Sequence, residues 1–162
     1  MLIHEVTQQM IDYFNGDVPR VNHALKVLGF ASAIAGIEEL DSRQLEIVEI
    51  AAILHDIGIV NAEKKYHSTA GNYQEIEGPP VAREMLKKHK LTDESLERIC
   101  YLIGHHHSYP KIDGIDFQIL VEADFLVNIF EDDMSAGAIA SVRDKYFKTK
   151  AGKAIFDRLY RA

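Results

Sequence analysis

One stretch constrains this chain more than any other. The run Ile50-Ala51-Ala52-Ile53-Leu54-His55-Asp56-Ile57-Gly58 reads as an apolar helix that finishes in two adjacent metal-ligand side chains, with a glycine behind them. Burying an imidazole and a carboxylate at such a helix end is costly unless a partner compensates, and a bound metal ion is such a partner. Adjacent helix-end residues point in different directions, so one can ligate a single ion while the other bridges two. Further ligand-type residues follow in order along the chain: His23 upstream, then Glu77, His105-His106-His107, and Asp124 within Val121-Glu122-Ala123-Asp124-Phe125-Leu126.

Each member has a plain explanation when taken alone. A lone histidine such as His23 is more often satisfied within the fold or on the surface. Glu77 also suits a helix N-terminus electrostatically. Three successive imidazoles, about 100° apart around a helix, cannot all face one way, so at most two of His105, His106 and His107 reach one site. Asp124 is harder to dismiss, because Ala123 and Phe125 flank it and Leu120 and Val127 lie near it on the helix. A carboxylate buried there must cap an element, pair with a base or bind a cation. Histidine nitrogens suit first-row transition ions and carboxylates supply negative charge, so the ordered set points to a metal site.

The frame around these residues is helical almost throughout. A first amphipathic helix carries Val6, Met10, Ile11 and Phe14 and stops at Asn15-Gly16. Asp17 caps a second, with Pro19 in its first turn, and Asp41 or Ser42 caps a third that ends at His55. Residues 57–75 read as the longest irregular stretch, followed by a fourth helix with Pro79-Pro80 in its first turn. Thr92 caps a fifth, Asp116 opens a strongly apolar sixth, and two more cover about 135–147 and 151–161. No strand alternation, repeat or dividing linker is present. The expectation is one all-α domain over 1–162, a bundle of six to eight helices with a core at 18–130 and a C-terminal helical extension at 135–161.

Composition excludes several classes. No apolar run approaches the roughly 20 residues of a membrane helix, and Met1-Leu2-Ile3-His4-Glu5 does not open a signal peptide. A single cysteine, Cys100, forms no internal disulfide, which makes a reducing cytoplasm the default location. A net charge of −7 argues against a nucleic-acid polymer as partner, while metals and a few lysines still allow a small phosphate. There is no Walker or dinucleotide glycine motif.

The order His23 … His55-Asp56-Ile57-Gly58 … Asp124 resembles that of the HD-domain metal-dependent phosphohydrolase superfamily, in a compact single-domain form, over about residues 18–130. The stretch Tyr146-Phe147-Lys148-Thr149-Lys150-Ala151-Gly152-Lys153 also resembles segments that follow the core in some members. The resemblance implies an HD-domain helical bundle with His23, His55, Asp56 and Asp124 as ligands of a first metal. For a second metal it implies Glu77, in place of the usual histidine, with His105 and His106, His107 being the rival. Two divalent ions would be balanced by Asp56, Glu77, Asp124 and a bridging hydroxide, whereas one ion balances Asp56 and Asp124 alone. The implied cofactors are one or two divalent transition metals (iron, manganese, cobalt or nickel, with zinc also in range).

The implied reaction is hydrolysis of a phosphomonoester or phosphoanhydride of a nucleotide or other small phosphate. The nucleophile would be a metal-activated hydroxide, with Asp56 as the catalytic residue that bridges the metals and orients or deprotonates it. Lys64, Lys65 and His67, with the Tyr66 ring, make 57–75 the expected substrate-recognition element, and Lys111 is a second phosphate contact. The expected partner is a small-molecule phosphate, with no membrane and with room for a homodimer. Two other classes share the scaffold: a di-iron oxygenase, against which Glu77 would argue, and a non-catalytic sensor of metal or nucleotide.

Overall fold

The structure is a computed structural model that describes residues 2–160. Among the described residues it contains nine α-helices and one short 3-10 turn. Helix α1 (Leu2–Phe14) ends where Asn15 and Gly16 take positive φ, 46° and 89°. Helix α2 (Val18–Ile37) starts as expected, Asp17 accepting from the Arg20 amide with Pro19 in the first turn. Asp41 and Gln44 close a reciprocal capping box on α3 (Ser42–Leu54). Thr92 caps α6 (Asp93–Ile103), and a 3-10 turn at Tyr109–Lys111 leads into α7 (Ile115–Glu131). Ser135 and Thr149 cap α8 (Ala136–Tyr146) and α9 (Lys150–Leu159).

Helix α3 is the centre of the bundle and packs against α1, α2, α6 and α7. Its residues Ile47, Val48, Ile50, Ala51, Ala52, Ile53 and Leu54 are all buried. A helix apolar all round belongs in a core, and each buried Ile or Leu contributes about 1.5–3 kcal/mol. Helix α7 is buried in the same way from Ile119 through Val127. Those two helices and α2 pack on one another, and each carries a metal-ligand side chain on or at the end of a well-anchored segment.

The stretch 57–75 departs from expectation: most of it is helical. Helix α4 (Ile59–Tyr66) occupies its first half, and α5 (Gly71–Leu86) begins in its second half instead of after Gly78. Helix α4 is only eight residues long and buries one side chain, Ala62, which is too little for an apolar period to show. The inner face of α5 runs through Gln74, Glu77, Gly78, Ala82 and Leu86, so its spacing is helical but its first half is polar or small. Pro79 and Pro80 lie inside α5, where they leave the carbonyls of Glu75 and Ile76 without intrahelical donors. Gly58 explains how α5 sits so close to the end of α3: a Cβ there would stand 2.5 Å from the Gly78 amide nitrogen.

The C-terminal helices are tied to α7 by the fully buried Glu122. Its carboxylate accepts from the amides of Lys148 and Thr149, at 2.6 and 2.9 Å, and from the Thr149 hydroxyl at 2.5 Å. Glu122 and Asp124 stand two positions apart on α7 and so face different ways: one holds the extension, the other the centre described next.

Candidate metal centre

Four side chains from three helices meet at one point. His23 comes from the second turn of α2, His55 and Asp56 from the end of α3, and Asp124 from the middle of α7. His23 Nε2 lies 3.1 Å from His55 Nε2, 3.3 Å from Asp124 Oδ1 and 3.6 Å from Asp56 Oδ2. His55 Nε2 is 3.5 Å from both carboxylates. Donors about 2.1 Å from a common ion stand about 3.0–3.4 Å apart in octahedral or tetrahedral arrangement; the observed separations of 3.1 to 3.6 Å are within a few tenths of an ångström of that and suit a divalent ion.

Hydrogen bonding orients the rings for that purpose. His55 Nδ1 donates to the Ala52 carbonyl at 2.8 Å, and His23 Nδ1 bonds Glu131 Oε2 at 2.7 Å. With both protons on Nδ1, two Nε2 lone pairs face each other at 3.1 Å, an arrangement that calls for positive charge between them. The titration behaviour agrees. Burial opposes charging of His55, yet the Asp56 and Asp124 carboxylates push its pKa up to about 9. Asp124, for which burial works in the other direction, is held well below the usual carboxylate range by His23 and His55.

A second set of donors begins on the other oxygen of Asp56. His106 Nε2 lies 3.4 Å from Asp56 Oδ1, and His107 joins the same cluster. The His106 ring is fixed by Nδ1 donating to the Ile103 carbonyl at 2.8 Å. The Nε2 atoms of His106 and His107 are both buried and have no hydrogen-bond partner among the described residues. Two orphaned imidazole nitrogens beside a carboxylate make a group that could hold a metal ion. Burial and the neighbouring His106 lower the His107 pKa to about 4, so that ring stays neutral. Glu75 orients the segment by accepting from the His107 amide and the Ser108 hydroxyl, both at 3.0 Å. The absent side chain of Gly71 makes room for the His107 ring: a Cβ there would stand 2.5 Å from its Cδ2.

Two expected ligands lie elsewhere. His105 turns away, its Nδ1 donating to the Tyr101 carbonyl at 2.8 Å and its ring packed on Tyr101, so the histidine pair is His106 and His107. Glu77 is buried but faces α4, where it accepts from Lys65 Nζ at 2.6 Å and Tyr66 Oη at 3.0 Å. Those bonds hold its pKa down and satisfy its charge without a metal. The carboxylates at the centre are therefore Asp56 and Asp124, whose two negative charges match one divalent ion.

The expected substrate contacts do not gather at the centre either. Lys65 is committed to Glu77, and Lys64 is exposed without an ion pair among the described residues. His67 ends α4 in the left-handed region at φ 53° with an exposed side chain, and Lys111 is exposed in the 3-10 turn. Arg20 is the cation that stands near the centre. It lies one turn before His23, feels the Asp56 charge, and is held by Glu63 through bonds of 3.1 and 2.6 Å.

Besides Glu75, the supporting residues that sequence reasoning misses include Arg20, Asn128 and Glu131. Asn128 donates to Asp124 Oδ1 at 2.9 Å, and Glu131 holds His23 while pairing with Lys26. All three sit at helical spacing from a ligand: Arg20 at three residues before His23, Asn128 and Glu131 at four and seven after Asp124. Polar residues at those offsets on an otherwise apolar α7 were the available signal.

The fold and the order of these residues agree with one family, and residues 20–147 match the HD domain. The chain belongs to the HD-domain family. This HD domain is also similar to the crystal structure of a predicted HD superfamily hydrolase from an uncultured Thermotogales bacterium. The identity is 25% and the TM-score 0.72, with 97% of this chain and 84% of that chain covered. A search of the curated proteins finds no match. No helix of the HD domain, among the described residues, is long and apolar enough to cross a membrane.

Proposed function

We propose that this protein is a metal-dependent phosphohydrolase that cleaves a small phosphate monoester or anhydride, with Asp56 as the catalytic residue. The observation that carries the reading is the division of one carboxylate between two histidine sets, Oδ2 toward His23 and His55 and Oδ1 toward His106. His23, His55, Asp56 and Asp124, with His106 and His107, would hold divalent ions whose chemistry would be to polarise a phosphoryl oxygen and acidify water. The residues themselves do the rest. Asp56 has the most exposed side chain of the four first-set ligands, 23% against 12% or less for the others, so substrate approaches from its side and its carboxylate orients the attacking water. Glu131 and Ala52 hold the two rings, and Arg20, released from Glu63, offers a guanidinium to the phosphate.

The solved relative is described as a predicted hydrolase, which points the same way. Glu77 no longer distinguishes hydrolase from oxygenase, since it stands outside the centre. The net positive charge of a two-ion centre favours an anionic substrate and carries that argument instead.

The test is phosphate release. Protein purified without added metal, then assayed by elemental analysis, should hold one to two equivalents of a transition ion. A panel of phosphate esters and anhydrides should yield inorganic phosphate at the same rate with and without dioxygen, with labelled oxygen incorporated from water. Turnover that stops without oxygen and resumes on its return overturns the reading in favour of an oxygenase; metal binding without any turnover leaves a sensor.

A further inference from the structure

Among the described residues, three buried side-chain nitrogen or oxygen atoms have no hydrogen-bond partner. Two are the Nε2 atoms of His106 and His107. The third is Oε1 of Gln74, a residue on α5 that is only 6% exposed. It is not among the ligands expected from the sequence.

The surroundings of Gln74 belong to the second donor set. Positions 71, 74, 75 and 78 share one face of α5. At the start of that face Gly71 lies on the His107 ring, where a Cβ would stand 2.5 Å from Cδ2 and 2.7 Å from Cγ. Glu75 accepts from the His107 amide and the Ser108 hydroxyl. At the other end a Cβ on Gly78 would stand 2.6 Å from Ile103 Cγ2, and the Ile103 carbonyl is the one that holds the His106 ring. The backbone carbonyl oxygen of Gln74 lies against Gly58, two residues beyond Asp56, where a Cβ would stand 2.4 Å from it. A helical side chain leans over the turn N-terminal to its own Cα. Gln74 therefore reaches back over Gly71, on the side that the His107 ring occupies.

The hydrogen bonds decide which way each group presents its lone pairs. Gln74 Nε2 donates to the Thr69 carbonyl at 2.7 Å; a flipped amide would set two oxygens against each other. Oε1 is thus the end left over, and an amide oxygen only accepts. His106 Nδ1 donates to the Ile103 carbonyl, which leaves a lone pair on Nε2. Neither of these two acceptors can satisfy the other. Buried acceptors without a donor are costly, and one cation answers for both.

We propose that Gln74 Oε1 is a ligand of the second metal ion, together with Asp56 Oδ1, His106 Nε2 and His107 Nε2. This rests on the two-ion centre of the phosphohydrolase reading and not on the reaction itself. The amide oxygen carries no net charge. The second ion then has one carboxylate, shared with the first ion, whereas the first also has Asp124. The second ion is therefore the weaker and more exchangeable of the two, and an amide oxygen among its donors suits manganese.

The experiment is a titration of chelator-treated protein with manganese(II), followed by calorimetry and by the electron paramagnetic resonance signal of the free ion. The wild type should take up two equivalents in two steps, the second weaker than the first. Gln74→Met keeps the unbranched bulk and removes the oxygen; it should weaken the second step by about tenfold or more and leave the first unchanged. Gln74→Glu loses the same bond to Thr69 but keeps an oxygen, and should tighten the second step alone, whereas a charge acting only through its field would tighten both. Circular dichroism checks that each variant is folded, and Gln74→Glu decides alone if Gln74→Met does not fold. Uptake of a single equivalent by the wild type overturns the assignment. So does a folded Gln74→Met variant with both steps unchanged or both weakened, or a Gln74→Glu variant whose second step does not tighten. Binding is read here without turnover. The expected pattern in a protein that releases no phosphate therefore keeps Gln74 as a ligand and overturns the phosphohydrolase reading instead.

Discussion

Asp56 Oδ1 lies 3.4 Å from His106 Nε2, on the oxygen opposite the one that meets His23 and His55. One carboxylate thereby joins the end of α3 to the turn after α6, and two half-sites become one centre.

Removing that joint should affect both halves together. Asp56→Ala is expected to lower metal content and to reduce activity by about a hundredfold or more. His106→Ala and His107→Ala should each lose the second equivalent of metal while keeping the first. His105→Ala and Glu77→Gln should retain both. Elemental analysis of the five purified variants checks the ranking, and a His105→Ala variant that loses an equivalent would refute the assignment of the pair.

Glu131 reaches the centre only through His23. Glu131→Ala frees the His23 ring and its tautomer, and should weaken metal affinity by about 10- to 100-fold with the fold intact. Titration against a competing chelator reads this directly; an unchanged affinity would show that Glu131 serves only its pair with Lys26.

Metal binding should depend on pH through His55. Burial resists its charging, but Asp56 and Asp124 raise its pKa to about 9, so at neutral pH a bound metal must displace a proton. Apparent affinity should therefore rise about tenfold per pH unit toward pH 9 and then level. The sign for stability is opposite in the ion-free protein. A raised pKa stabilises the fold fully below the ordinary value of 6.5, and that contribution is lost as pH climbs through about 9. Thermal melts of chelator-treated protein between those limits would test it; a melting temperature that rises with pH over that range would contradict it.

Gly58→Ala should be costly out of proportion to one methyl group. The new Cβ meets backbone of α5, including the Gly78 amide at 2.5 Å, and neither element can yield without moving Asp56. A loss of about 2–3 kcal/mol is expected, or roughly 5–10 °C in melting temperature for a chain of this size, together with lower metal content. Gly29→Ala, exposed in the middle of α2 with open space around it, is the control that should melt at or above the wild-type temperature.

Much of this architecture was legible in the chain. The caps at Asp17, Asp41 and Thr92 and the apolar runs that bury the second half of α3 and the middle of α7 follow from local chemistry, while the grouping of His23, His55, Asp56 and Asp124 was legible through the resemblance of their order to the HD family. What failed shares a cause. Helix α4 and the start of α5 bury too few apolar side chains to show a period. Glu77 and His105 were read from position in a motif, and position along a helix does not reveal which neighbour a side chain finds first.

By itself, the sequence determined an all-α bundle and a histidine–aspartate pair at the end of an apolar helical run, because helical periodicity, capping and the cost of burying charge act over a few residues. The tertiary structure alone decided that Lys65 and Tyr66 neutralise Glu77, that His107 and not His105 stands with His106, and that Glu131 reaches back to His23. These are contacts between helices far apart in the chain, and whether they form depends on the rotation and approach of whole elements, down to the Cβ that Gly58 and Gly71 lack.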